Sequence, residues 1–350
     1  MTKPHLCELP AGIQLVYLAE GGANVIYRFV SPASAPVNSA LAVNRSLSTA
    51  GIETCSNVPA QLGGKLLRLR KETAADIPYQ ETVRNFDNII RPLFNPEELV
   101  DQTLIRLPEG LIQRCNEQLR LAEINGLRPS KRHGGYLCLN EPFGLLITDM
   151  TTADEPGASM AELKPKWLTQ SPSAPSTARR CRTCALREMK DSNAWNLQQT
   201  DHQRSFCPLD LVSERFENVF RATAFIKGCG DRTQLARVLY RNTTLQKLQS
   251  HQKAMKNVGL HGPLAQSPEM SVAMTLRDCT MYIKIPSDDR APVEIRLGDL
   301  DVKAGSGGKA EYWLDVETQL ISEGWYRGAN SSQERSDCAL QSSRRSTPST

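Results

Sequence analysis

The chain has 350 residues, 40% hydrophobic and 23% charged, and its 42 basic and 38 acidic residues leave a net charge of +4. That length supports one large or two modest domains with a true core, and the composition excludes bulk disorder and a whole-molecule polycation, so a strong anion site has to be local. No apolar run approaches the roughly 20 residues of a membrane span, and the opening Met-Thr-Lys-Pro-His shows no signal-peptide pattern. A soluble protein of the cytoplasm or nucleus is therefore expected.

In chain order, residues 14–18 and 25–30 predict two strands, joined by a turn at Gly21-Gly22-Ala23-Asn24. Residues 31–64, rich in Ser, Ala, Pro, Asn and Gly, read as a loop, and 65–70 (KLLRLR) as a third strand. Helices are predicted at 80–90 and 109–122, and strands at 136–139, 144–149 and 160–166. A linker at 169–178 precedes helices at 181–190, 211–226 and 233–256. Strands at 279–285 and 293–300 follow, then a helix at 309–323 with Gly324 as its stop. The Ser-rich stretch 329–350 reads as a disordered tail. Strands dominate the first part and helices the middle, which predicts an α+β fold with two lobes, residues 1–150 and 151–328.

Several segments have the residue types of an anion-handling enzyme. Glycines in the 21–24 turn let backbone approach a ligand, as an ordinary hairpin also would. Strand alternation puts Arg68 and Arg70 on one face. In Glu162-Leu-Lys164-Pro-Lys166-Trp167 the same alternation places Glu162, Lys164 and Lys166 together, with Pro165 marking an edge or strand end. From 164 to 190 there are seven cations against one acid, a local +6 that suits a multiply phosphorylated partner, a nucleic acid or a solvated patch. Asp278 stands at the mouth of the 279–285 strand. Asp299, Asp301 and Lys303 would share a face, where carboxylate oxygens suit Mg²⁺. Ten cysteines without a secretory signal read as reduced thiols. Among them Cys181, Cys184 and Cys207, with His202, have spacings from which a structural zinc site can be built.

Taken together, GGANVIYRF (21–29), LLRLRK (66–71), ELKPKW (162–167), CRTC and CPLDLVS (181–184, 207–213), RDCTMYIKI (277–285) and GDLDVK (298–303) resemble the inositol-pentakisphosphate 2-kinases, in particular the fungal branch. The motifs stand in the family's order and span nearly residues 14 to 326. ELKPK, one apolar swap from the family's signature, is the most specific.

The resemblance implies a two-lobed inositol phosphate kinase-like fold, distantly protein-kinase-like. It implies transfer of the γ-phosphoryl of ATP, with Mg²⁺, to the 2-hydroxyl of inositol 1,3,4,5,6-pentakisphosphate, giving inositol hexakisphosphate (phytic acid). Carried over residue by residue, Gly21, Gly22 and Asn24 would lie over the ATP phosphates, Arg68 would contact one, and Asp149 would read adenine. Lys164 would sit near the γ-phosphate, Asp278 would orient or deprotonate the 2-hydroxyl, and Asp299 would hold Mg²⁺. Lys166, Arg128, Arg182, Lys303, Lys309 and Tyr312 would grip the substrate's phosphates. The zinc ligands of plant members do not map onto Cys181, Cys184, His202 and Cys207, so that site stands apart from the resemblance. A monomer that binds neither membrane nor nucleic acid is expected. The alternatives are an inositol polyphosphate kinase of other positional specificity and a zinc-stabilised nucleic-acid-binding module built on residues 179–190. The kinase reading requires Lys164, Asp278 and Asp299 to meet.

Overall fold

The structure is a computed structural model that describes residues 7–30, 59–73, 77–153, 155–196, 205–260, 267–303, 309–328 and 337–341. The chain divides into two compact units, Met1–Asn85 with Val100–Asp149, and Phe86–Leu99 with Met150–Thr350. Helix and antiparallel sheet are mixed throughout, an α+β architecture. No helix among the described residues is long and apolar enough to cross a membrane.

The first unit is built on a five-stranded antiparallel sheet in the order β1 (Gln14–Glu20), β2 (Asn24–Val30), β3 (Lys65–Arg70), β5 (Phe143–Thr148) and β4 (Gln102–Arg106). In β2 every second residue is buried, and Val25, Tyr27 and Phe29 join Leu67 and Leu69 of β3 in one core. The helix α2 (Leu111–Ile124) adds Leu111, Ile112, Cys115 and Leu119 to that core. Phe143 and Leu145 pack with Tyr79 of α1 (Tyr79–Asn85) in a second cluster. Gly144 has no room for a side chain, because a Cβ there would stand 2.9 Å from Leu67 and 3.0 Å from Leu107. The short strand β4 escapes sequence reading because five residues carry too little alternation. The expected strand at 136–139 is reduced to an isolated bridge between Leu137 and Lys71.

The second unit holds a three-stranded antiparallel sheet, β6 (Ser159–Leu163), β7 (Thr280–Ile285) and β8 (Glu294–Gly298), with β7 central. Its core joins Ala161, Leu163, Met281, Ile283 and Leu297 to Leu235, Leu245, Leu248 and Leu276. Phe86, Ile90, Phe94 and Leu99 belong to this core as well. That is why Phe86–Leu99 packs with the second unit, although the sequence reading put it in the first. The long helix expected at 233–256 is two, α5 (Arg232–Leu239) and α6 (Thr243–Ala254). Arg241 breaks the run with φ 54°, and Asn242 starts the next helix by accepting from the Leu245 amide at 3.0 Å. Between Leu211 and Ile226 only α4 (Phe216–Thr223) is α-helical. A helix absent from the sequence reading, α7 (Pro268–Leu276), starts with Ser267 capping the Met270 amide at 3.1 Å and proline at its first position. Six of its nine residues are buried, so it lacks the polar face that marks an amphipathic helix. Two further helices, α3 (Arg182–Asn196) and α8 (Lys309–Ser322), pack around Ala185, Met189, Leu320, Trp325 and Tyr326. Gly324 ends the last helix with φ 76°, as its position predicts.

Candidate active site

The chemistry-bearing residues of the second unit gather at one end of its sheet. β6 stops at Leu163, before both lysines, so Lys164 and Lys166 do not sit in strand register as alternation predicts. Pro165 ends the ladder and Lys166 turns into the left-handed region at φ 59°. Asp299 follows β8 directly and is left-handed too, at φ 57°. Two of the three positive-φ non-glycine residues among those described therefore lie in this cluster, strain of the kind that collects at functional sites. Asp278 links α7 to β7, its amide bonded to the Thr275 carbonyl at 3.1 Å.

These turns bring three ammonium groups and two carboxylates into contact. Lys164 Nζ lies 2.6 Å from Asp299 Oδ2, 3.2 Å from the Asp278 carbonyl and 4.0 Å from Asp278 Oδ1. Lys166 Nζ donates to Asp278 Oδ1 at 2.5 Å, and Lys303 Nζ donates to Oδ2. The required meeting of Lys164, Asp278 and Asp299 is thus present. Each of these side chains remains a quarter to a half exposed, so the cluster is open to a ligand.

Burial pushes the Asp278 carboxyl up, but hydrogen bonds from Lys166 and Lys303 outweigh it and hold it at about 2. Burial lowers the Lys164 ammonium, while its bond to Asp299 and the charges of both aspartates raise it above the ordinary lysine value. Lys164 is a fixed cation. Asp278 is a carboxylate whose basicity is suppressed by the two lysines that touch it.

Two buried residues that sequence reading passed over hold this arrangement. Gln252 of α6 is 1% exposed; its Nε2 donates to the Lys166 carbonyl at 2.9 Å and the Leu276 carbonyl at 3.0 Å, and its Oε1 accepts from the Leu168 amide at 2.8 Å. It pins the lysine turn to the end of α7. Thr275 accepts from the Lys303 amide at 2.9 Å and donates to the Ser271 carbonyl at 2.8 Å, tying the Asp299–Lys303 loop to the same helix. A signal for Gln252 was present, since an amide on the apolar stripe of Leu245 and Leu248 needs buried partners.

The remaining candidates lie elsewhere or do other work. Arg182 is 6% exposed, paired with Glu317 at 2.7 Å and placed over the Trp167 ring at 4.6 Å. Arg180 binds Glu188 at 2.6 Å and also Gln341, and Arg187 donates to the carbonyls of Ser205 and Phe206. Arg180 and Arg182 are therefore buried and internally paired and Arg187 is half-buried, while Arg179 is exposed, so much of the +6 run is not a free basic surface, and Arg182, expected as a phosphate contact, is engaged by Glu317 in this structure. Tyr312 is exposed on α8. Lys309 opens that helix, and its side chain lies outside the described residues, as does His202.

In the first unit Arg128 is 4% exposed and bound to Glu20, Glu123 and the Gly135 carbonyl. In this structure the expected phosphate contact is a buried cation engaged by two acids. Glu20 also accepts from Lys71, whose ammonium donates to the Gly21 carbonyl at 3.0 Å. Burial raises the Glu20 carboxyl, but Arg128 and Lys71 bring it below its ordinary value. This network braces the β1–β2 turn from below, with the Gly21 amide bonded to the Asn24 carbonyl at 2.9 Å. Tyr79 donates to Asn24 Oδ1 at 2.9 Å, and Arg68, 7% exposed, has its guanidinium 5.9 Å from the Tyr79 ring. Asp149, just past β5, stands 3.8 Å from Arg28.

A family profile described as inositol-pentakisphosphate 2-kinase matches residues 17–227 and 227–319. The chain belongs to the inositol-pentakisphosphate 2-kinase family. Among its relatives is the inositol-pentakisphosphate 2-kinase of Yarrowia lipolytica, 27% identical over 282 residues that cover 75% of this chain and 85% of that protein. The protein of the same name from Debaryomyces hansenii is 25% identical over 390 aligned residues, 87% of this chain and 90% of its own length. The five clustered residues Lys164, Lys166, Asp278, Asp299 and Lys303 all fall inside the stretch matched to this kinase family.

Proposed function

We propose that this family member transfers the γ-phosphoryl of ATP to the 2-hydroxyl of inositol 1,3,4,5,6-pentakisphosphate, giving inositol hexakisphosphate and ADP. The observation that carries the reading is the contact of Lys164, Lys166 and Lys303 with Asp278 and Asp299 in one exposed cluster. A substrate with five phosphates carries roughly −8 to −10 charges, which calls for convergent ammonium groups. Phosphoryl transfer asks a protein chiefly for alignment and charge neutralisation, and a lysine–aspartate cluster supplies both.

Lys166 and Lys303 bind substrate phosphates in this scheme. Both ammonium groups hydrogen-bond Asp278 in the structure, so phosphates competing for them would loosen their hold and raise its basicity. Asp278 then accepts the proton of the 2-hydroxyl as that oxygen bonds to the γ-phosphorus and the bond to the bridging oxygen of ADP breaks. Lys164, kept protonated by Asp299, faces the charge that spreads over the equatorial oxygens. The hard carboxylate oxygens of half-exposed Asp299 fit Mg²⁺, which keeps waters and prefers such donors. That ion would supply charge neutralisation on nucleotide phosphate oxygens.

For the nucleotide we assign phosphate contact to Gly21, Gly22 and Asn24, supported by the braced turn, and to Arg68 beside Tyr79; Asp149 is assigned to adenine. Lys309 and Tyr312 keep a substrate role on the strength of the family resemblance. The two units would correspond to the lobes of an inositol phosphate kinase, a fold distantly related to protein kinases.

The test is product analysis. The chain, ATP, Mg²⁺ and the pentakisphosphate are incubated and the inositol phosphates resolved by anion-exchange chromatography. Inositol hexakisphosphate is expected, and Asp278→Asn should slow its formation about 10²- to 10⁴-fold without unfolding the protein. A folded wild-type sample that forms no hexakisphosphate defeats the assignment.

A further inference from the structure

The four cysteines Cys181, Cys184, Cys207 and Cys338 take no part in this chemistry. Their Sγ atoms all lie within 4.8 Å of one another and all four residues are buried. Cys338 belongs to the stretch 337–341, inside the region expected to be a disordered tail, and is 0% exposed. It is brought 157 residues back along the sequence to accept a hydrogen bond from the Cys181 amide at 3.1 Å.

We propose that Cys181, Cys184, Cys207 and Cys338 form a closed four-thiolate zinc site that fastens residues 337–341 to the start of α3. Sulfur spacing carries the argument. Zinc–sulfur bonds of about 2.3 Å in a tetrahedron set sulfur atoms ~3.8 Å apart. The Cys181 and Cys207 sulfurs stand 3.8 Å apart, far from the roughly 2.05 Å of a disulfide. Four mutually close sulfurs also differ from two stacked disulfides, which would pair them off. Soft thiolates in a tetrahedral set select zinc, and four protein ligands leave no open position for catalysis.

The surroundings suit buried thiolates. The Cys181 amide points to Cys338 Sγ, and the Ala339 amide to Cys207 Sγ at 3.4 Å, the outer hydrogen bonds such ligands use. Cys181 and Cys184 flank the first residues of α3, where the helix N-terminus favours negative charge. The nearby arginines acquire a role here. Arg187 holds the carbonyls of Ser205 and Phe206 just ahead of Cys207, and Arg180 reaches Gln341. Among the described residues, the partly buried apolar neighbours packed on the four cysteines are Leu209 and Ala339. The site differs from the sequence expectation in its fourth ligand, Cys338 in place of His202.

Elemental analysis of the full chain, purified without chelator or added metal, tests this. One zinc per chain is expected, released when an organomercurial titrates the thiols. Cys338→Ser should reduce bound zinc to a trace and lower the melting temperature, while Cys229→Ser should keep both. Metal-free wild-type protein, full zinc in Cys338→Ser, iron in place of zinc, or disulfides in a non-reduced digest each overturn the proposal. Should Cys338→Ser fail to fold, wild-type protein loaded with cobalt decides: the tetrahedral bands of a four-sulfur site support it, and a spectrum with fewer sulfurs rejects it.

Discussion

Replacing Gln252 by methionine removes three hydrogen bonds while nearly conserving shape. The Leu168 amide and the carbonyls of Lys166 and Leu276 lose their partner. Leu168 and Leu276 are each 0% exposed, so two of these groups have no route to water, whereas half-exposed Lys166 can be resolvated. A buried orphan donor or acceptor costs about 1–3 kcal/mol, so Gln252→Met should cost about 3 kcal/mol, a large share of an ordinary 5–15 kcal/mol stability. The functional consequence is separate. Without the bond to its carbonyl, Lys166 is free to leave its φ 59° conformation, and its ammonium is no longer aimed at Asp278. The KM for the pentakisphosphate should rise about tenfold, equivalent to about 1.4 kcal/mol, with a smaller change in kcat. Urea unfolding gives the first quantity, and initial rates at saturating ATP the second. A stability loss below about 0.5 kcal/mol, the range of ordinary surface substitutions, would refute the pinning role. So would lost stability with an unchanged KM for the refolded fraction.

Arg128→Met removes the cation shared by Glu20 and Glu123 in the first unit and should cost about 3 kcal/mol, the lower end for breaking a buried pair, because Lys71 still binds Glu20 and the Tyr136 hydroxyl still donates to Glu123. Per folded molecule, its KM for the pentakisphosphate should stay near wild type; a tenfold rise with intact stability would return Arg128 to the phosphate contacts. The pH dependence has a definite sign. The folded Asp278 carboxyl titrates at about 2 against an ordinary 3.8, so its stabilisation is complete above 3.8 and disappears as pH falls through 2. With the side chain about one-third exposed and solvent screening the pairs, this is worth about 1 kcal/mol. The stability gap between wild type and Asp278→Asn should therefore shrink by about 1 kcal/mol between pH 5 and pH 2, and a constant gap in chemical denaturation would contradict it.

Residue types, short-range spacing and the strand alternation of β2, β3 and β7 are local properties, and the amino-acid sequence by itself determined them. It also singled out the lysines and aspartates proposed for the chemistry, because ELKPK, RDC and GDLDVK each occupy a few consecutive residues. Only the tertiary structure decided what those residues touch. Glu317 is 135 residues from Arg182 and Glu20 is 108 from Arg128, so counting charges along the chain could not tell a buried, paired arginine from one waiting for phosphate. Lys166 and Asp299 illustrate the same limit at the backbone. Alternation predicts a strand face for them, but the strands end at Leu163 and Gly298, before either residue, and Gln252 from a distant helix supports the left-handed turn that aims Lys166. Cys338 joins its three partners only because the chain folds back across more than a hundred residues. Contacts at that separation come from whole-fold packing, and no window of sequence contains both ends of them.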